Sequence, residues 1–109
     1  MNLGANMEVK YLDGDFNIND YTNLVVLDFF ADWCPPCKRM SVEIDNITSE
    51  LPATILKVNA DHHQELAAAM EVKSLPTLVF MRTAEPGAAS KIVGFKTREQ
   101  IVKLIEDNL

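Results

Sequence analysis

Cysteine is scarce in this chain, with two among 109 residues. That count excludes a multi-disulfide secreted scaffold, and it excludes a zinc site made of cysteine alone, which needs four ligands. Positive charge is also short. Lys+Arg number 10 against 16 Asp+Glu, a net charge of −6. An acidic chain of this kind is a poor partner for nucleic acid or for an anionic membrane surface. Long apolar runs are missing too. The densest, residues 24–31, is interrupted by Asp28 and falls far short of the roughly 20 residues that span a bilayer. Residues 1–7 carry no basic stretch and no apolar run, so no secretory leader is expected and residues 1–6 read as a loose end. The four glycines form no nucleotide-binding motif, and no repeat or low-complexity tract occurs. What is present is ordinary globular material, 48% hydrophobic and 24% charged, with the length of one domain over residues 1–109. The expected compartment is the cytoplasm, where thiols are kept reduced. Two cysteines there point to catalysis, redox sensing or metal binding ahead of structural bridging.

The hydrophobic pattern predicts strands alternating with helices. Residues 8–12 alternate as a short strand, and residues 17–23 have room for a short helix. Residues 24–31 are apolar at nearly every position, the mark of a central strand covered on both faces. Cys37, Met40, Ile44, Ile47 and Leu51 recur at steps of three and four, one face of a helix that Pro52 would end. A strand over residues 54–59, a helix over 60–72 and a strand over 77–81 follow. Pro86-Gly87 is a turn signal before a return strand over 91–95. Thr97 with Gln100 three residues on reads as a capping box opening the last helix. Strands alternating with helices imply an α/β fold with a parallel component, helices on both faces and an antiparallel hairpin at the edge.

The sharpest signal is Cys34-Pro35-Pro36-Cys37 at the junction of the central strand and a helix. Residues three apart in a first helical turn are neighbours, so the two sulfurs can close a small disulfide ring. Cys34 at the helix start would feel free backbone N–H groups and the positive end of the helix dipole. Both favour the thiolate, the nucleophile of disulfide exchange. Cys37, one turn in, is expected to be more buried and less reactive. Pro35 and Pro36 suit a first turn, where a missing N–H had no helical partner. They stiffen the ring and leave mainly the Cys37 N–H to face the Cys34 sulfur. The alternatives are a half zinc site and a pair of inert core thiols. Zinc would need His62 or His63, and adjacent residues on a helix point about 100° apart, so the expectation is no metal.

These residues resemble a known family. Ala31-Asp32-Trp33-Cys34-Pro35-Pro36-Cys37-Lys38 is similar to the active-site signature of thioredoxins. Ser74-Leu75-Pro76-Thr77-Leu78-Val79-Phe80 resembles the family's second signature, a loop with a cis-proline before a strand, and Val93-Gly94 resembles its third element. Asp28 and Lys57 fall where the family has a buried charged pair. The resemblance runs from about residue 8 to residue 109. It implies the thioredoxin fold, a central mixed β-sheet flanked by helices on both faces, with the dithiol at the end of the central strand.

It also implies protein disulfide reduction. Cys34 would attack, and Cys37 would resolve the mixed disulfide with Asp28 as base or proton relay. An acid inside an apolar strand is costly unless paired or neutral, so burial should raise the Asp28 pKa. If the Asp28 and Lys57 strands are neighbours, the Lys57 amine could meet that carboxylate and moderate the rise; the other reading of Lys57 is a snorkelling surface lysine. Leu75 before a cis Pro76 would offer its backbone to an extended substrate segment. Trp33, Pro35, Pro36, Leu75, Pro76, Val93 and Gly94, with Phe95, would ring the dithiol as a docking patch.

The expected partners are disulfide-containing proteins and a flavoprotein thioredoxin reductase drawing on NADPH, so this chain itself needs no cofactor beyond its Cys34–Cys37 disulfide. A monomer suffices. The other functions in view are a more oxidising oxidase or isomerase, and a binding module indifferent to redox state. Five positions or segments depart from the family's usual pattern. Pro35 stands where the usual dipeptide is Gly-Pro, Phe30 where tryptophan is usual, and Val42 where a helix-kinking proline is usual. The segment 82–90 is longer than the common hairpin turn, and the region before Leu24 is shorter than the usual first helix and linker.

Overall fold

Leu24–Phe30 form β2, and every residue of it but the last is buried. A strand this apolar must be covered on both faces, and β2 lies in the middle of a five-stranded sheet of order β1-β3-β2-β4-β5. The other strands are β1 (Glu8–Tyr11), β3 (Ala53–Asn59), β4 (Thr77–Arg82) and β5 (Ser90–Val93). β1 and β3, and β3 and β2, pair parallel; β4 pairs antiparallel with β2 and with β5. The helices are α1 (Pro35–Asp45), α2 (Gln64–Ala69) and α3 (Arg98–Asn108), with short 3₁₀ turns at Ile18–Asp20 and Pro86–Ala88. This computed structural model describes residues 7–109; the loose end expected over residues 1–6 lies outside the described residues. Among the described residues, no helix is long and apolar enough to cross a membrane.

The two-residue period of β2 divides the core. Leu24 and Val26 face one side with Ile55, Leu78 and Phe80, where Met40 and Ile44 of α1 and Ile101 and Ile105 of α3 cover them. Val25, Leu27 and Phe29 face the other side with Leu56, Val58 and Val79, beneath Leu66 and Ala67 of α2 and Phe16, Ile18 and Tyr21 of the β1–β2 connection. Helices therefore lie on both faces, and the expected thioredoxin fold is the observed one. Asp28 shares the first face with Val26 but lies further along β2, beside a cavity that Cys37, Lys38 and Ser41 of α1 also line.

Two helices are shorter than the periodicity predicts. α1 stops at Asp45, not near Pro52: the Asn46 side chain donates to the Val42 carbonyl, and the Asn46 and Ile47 N–H groups close tighter turns. Ile47 and Leu51 still pack on the core from irregular chain, so the apolar spacing outlasts the helix. α1 runs continuously past Val42, which is exposed. α2 begins late because Asn59 forms a turn of its own, with its side chain accepting from Asp61 N–H and its carbonyl from the His62 and His63 N–H groups. It ends at a left-handed Glu71 (φ 54°), with Val72 N–H bonded to the Ala67 carbonyl and Glu71 N–H to that of Ala68. The Thr97–Gln100 capping box forms in full at the start of α3.

Candidate active site

β2 delivers the chain to Ala31, and Cys34 follows as the N-cap of α1, in extended conformation. Pro35 and Pro36 take the first two helical positions, where no N–H is needed. The first donor able to face the Cys34 sulfur is the Cys37 N–H, and it does so at 3.3 Å. Cys34 and Cys37 are disulfide-bonded, with Cα atoms 5.3 Å apart. The expected contrast in burial is absent, since both residues are almost wholly buried, packed with Ala31, Phe30 and Leu75. The two differ in what they face. A cavity of about 270 Å³ opens under the dithiol, and its lining includes Cys37 with Asp28, Asp32, Lys38, Tyr11 and Lys57, but not Cys34. That volume has room for several water molecules at about 30 Å³ each.

Asp28 is buried and its Oδ1 accepts no hydrogen bond. Loss of solvent drives its pKa up from 3.8 to about 7, against a smaller opposing pull from Lys57. Lys57 sits beside Asp28 in the β2–β3 register and is buried, so it is no snorkelling surface residue. Its ammonium does not close an ion pair with Asp28. It donates instead to Ser41 Oγ at 2.8 Å and to Asp45 Oδ1 at 3.0 Å, and lies 5.4 Å from the Tyr11 ring centroid. Sequence reasoning missed Ser41 and Asp45. Their four-residue spacing on α1 was the available signal, because it puts both on one helix side.

Around the sulfurs, the Leu75–Pro76 peptide is cis. Gly94 N–H donates to the Pro76 carbonyl at 2.9 Å, joining the second and third sequence elements. Gly94 holds φ 102°, a left-handed conformation that only glycine adopts cheaply. Trp33 is 68% exposed and Val93 54% exposed, so Trp33 is not a core residue. Its indole N–H donates to Asp61 Oδ2 at 3.0 Å, a contact sequence reading did not find. Phe95 is half-buried, with the Arg39 guanidinium 5.2 Å from its ring centroid. His62 and His63 lie before α2, and no group of metal-ligating side chains occurs among the described residues. Chemically, the arrangement is a disulfide pair at a helix start, one of its cysteines sharing a cavity with a buried carboxyl group whose pKa is raised to about 7, and an exposed apolar rim.

The comparisons agree with this geometry. A family model described as Thioredoxin matches residues 9–107. A thioredoxin of Staphylococcus saprophyticus is 35% identical over 103 residues, which is 93% of this chain and 97% of the relative. A thioredoxin of Staphylococcus haemolyticus is 33% identical over the same shares. Among solved structures, a mutant thioredoxin from Halobacterium salinarum matches with a TM-score of 0.80 at 30% identity, over 93% of this chain and 90% of that one. The Fasciola hepatica thioredoxin matches at 0.72 and 29% identity, over 84% and 88%.

Proposed function

The chain belongs to the thioredoxin family and is a thiol–disulfide oxidoreductase, and on that premise we propose that it works as a protein-disulfide reductase with a division of labour between its two cysteines. The reduced Cys34 thiolate, favoured by the helix start and the Cys37 N–H, attacks one sulfur of a substrate disulfide. An S–S bond forms, and the other substrate sulfur leaves as a thiolate. Cys37 then gives its proton to Asp28, directly or through water in the shared cavity, and attacks the Cys34 sulfur. The mixed disulfide breaks, the substrate leaves with both sulfurs reduced, and the Cys34–Cys37 disulfide holds the two electrons' worth of oxidation. The observation that carries this assignment is that Cys37, not Cys34, shares the cavity of Asp28.

Trp33, Pro35, Pro36, Val93 and Gly94 form the docking rim, and the Leu75 backbone before Pro76 pairs with an extended substrate segment. Lys57 moderates the charge of Asp28 from the neighbouring strand. The family works with thioredoxin reductase and disulfide substrates. For this chain we assign a flavoprotein reductase drawing on NADPH, with those cofactors held by the partner, and a cytoplasmic site of action. Both cysteines and Asp28 come from one chain, so a monomer is sufficient.

The reduction potential tests the direction of exchange. Equilibration of the Cys34–Cys37 couple against glutathione is expected to give a value near roughly −270 mV, as for reducing thioredoxins. A value between roughly −180 and −120 mV, the range of isomerases and oxidases, would contradict it.

A further inference from the structure

Lys57 lies between two carboxylates and binds the outer one. Its ammonium crosses from β3 to α1, where Ser41 and Asp45 accept its hydrogen bonds at 2.8 and 3.0 Å. The Lys57 side chain is only 6% exposed while that of Asp45 is 61% exposed, so a buried cation is anchored from its wet side. Asp28, next to Lys57 in the register, keeps an Oδ1 with no hydrogen-bond partner. A cation shared by two anions stabilises each less than it would alone, and whatever orients it toward one weakens its hold on the other.

We propose that Asp45, with Ser41, is a positioning residue for the proton transfer: it holds the Lys57 ammonium at the cavity rim and so sets the pH at which Asp28 can accept the proton of Cys37. This rests on the assignment of Asp28 as that acceptor. The charged and titratable groups that line the cavity with Asp28 are Tyr11 from β1, Asp32 from the active-site turn, Lys38 from α1 and Lys57 from β3, beside the disulfide-bonded Cys37. Asp45 is not among them, so substituting it removes none of these groups.

The test titrates Asp28 in the full oxidised chain by NMR of its carboxyl carbon, in the unmodified protein, Asp45→Asn and Asp45→Glu. Removing the Asp45 charge frees Lys57 to turn inward and takes a negative charge from the neighbourhood. Both changes favour the Asp28 carboxylate, so its midpoint is expected to fall by about 0.5–1 pH unit in Asp45→Asn. Asp45→Glu, which keeps the charge, is expected to restore most of that fall. A midpoint in Asp45→Asn equal to or above that of the unmodified protein overturns the proposal. The resting oxidised protein is titrated, so this result is independent of catalysis. The pH profile of Cys37 attack on a preformed mixed disulfide should move by the same amount. A shifted titration with an unshifted profile would instead overturn the catalytic role of Asp28.

Discussion

Cys34→Ser is expected to lower the turnover of protein disulfides to background, a loss of about three orders of magnitude or more, because a hydroxyl cannot replace a thiolate in disulfide exchange. The effect should be this large because Cys34 is the sulfur at the N-cap of α1, where the Cys37 N–H already points at it. Among the described residues, the hydrogen bond that reaches either sulfur is the one from the Cys37 N–H to Cys34, and no ammonium is bonded to them. The helix start and that one N–H supply the stabilisation, and they supply it to Cys34. Reduction of insulin or of a dithionitrobenzoate-type disulfide, followed with a coupled reductase, measures the effect. Turnover in Cys34→Ser within tenfold of the unmodified protein, on the order of 1.4 kcal/mol in the barrier, would refute Cys34 as the nucleophile.

Asp28→Asn should gain stability and lose function, with both effects depending on pH. The Asp28 pKa stands near 7 in the folded chain against 3.8 ordinarily, and loss of solvent is the main cause. Between those values the folded protein keeps a proton that the unfolded chain has released. Stability therefore falls as pH rises through this window, and the penalty is complete above the folded pKa. A shift of this size corresponds to about 4 kcal/mol at most. Asparagine cannot ionise and nearly matches the neutral acid in shape. In urea titrations of the oxidised protein, Asp28→Asn is expected to be more stable by about 2–4 kcal/mol at pH 8, with the gap closing toward pH 4. The same substitution removes the proton acceptor beside Cys37, and resolution of a mixed disulfide at neutral pH should slow by about 10²-fold. A stability difference that is flat from pH 4 to pH 8 would show that Asp28 is not held protonated by burial. Unslowed resolution would show that Cys37 loses its proton elsewhere.

Much of this was legible in the residues. The nearly continuous apolar run of β2 announced a central strand, and its period-two alternation set the one acid in it, Asp28, apart from Val25, Leu27 and Phe29. The cysteine spacing, with both prolines in the first turn where a helix tolerates them, announced an N-cap dithiol. Capping chemistry located the start of α3. Other features were hidden for physical reasons. Apolar spacing reports contacts, not hydrogen bonds, so Ile47 and Leu51 extended α1 on paper although Asn46 had already capped it. α2 lost both ends to local side-chain and backbone turns at Asn59 and Glu71 that no periodicity reveals. Cys34 and Cys37 are buried alike in one cluster against which Phe30 and Leu75 pack, and Leu75 arrives from a distant loop. The partners of Lys57 depend on the β2–α1–β3 crossover, which brings Asp45 within 3.0 Å of a residue 12 positions away in the chain. The Trp33–Asp61 bond spans 28 residues and had no local mark.

The central claim is that the two cysteines act in a fixed order, and trapping the intermediate tests it most directly. Cys37→Ser, reduced and mixed with a disulfide-bonded protein substrate, is expected to accumulate a stable mixed disulfide. Peptide mapping by mass spectrometry should place the link at Cys34. Cys34→Ser, treated in the same way, should accumulate none. A mixed disulfide formed through Cys37 in Cys34→Ser, with no adduct in Cys37→Ser, would reverse the roles and contradict the account.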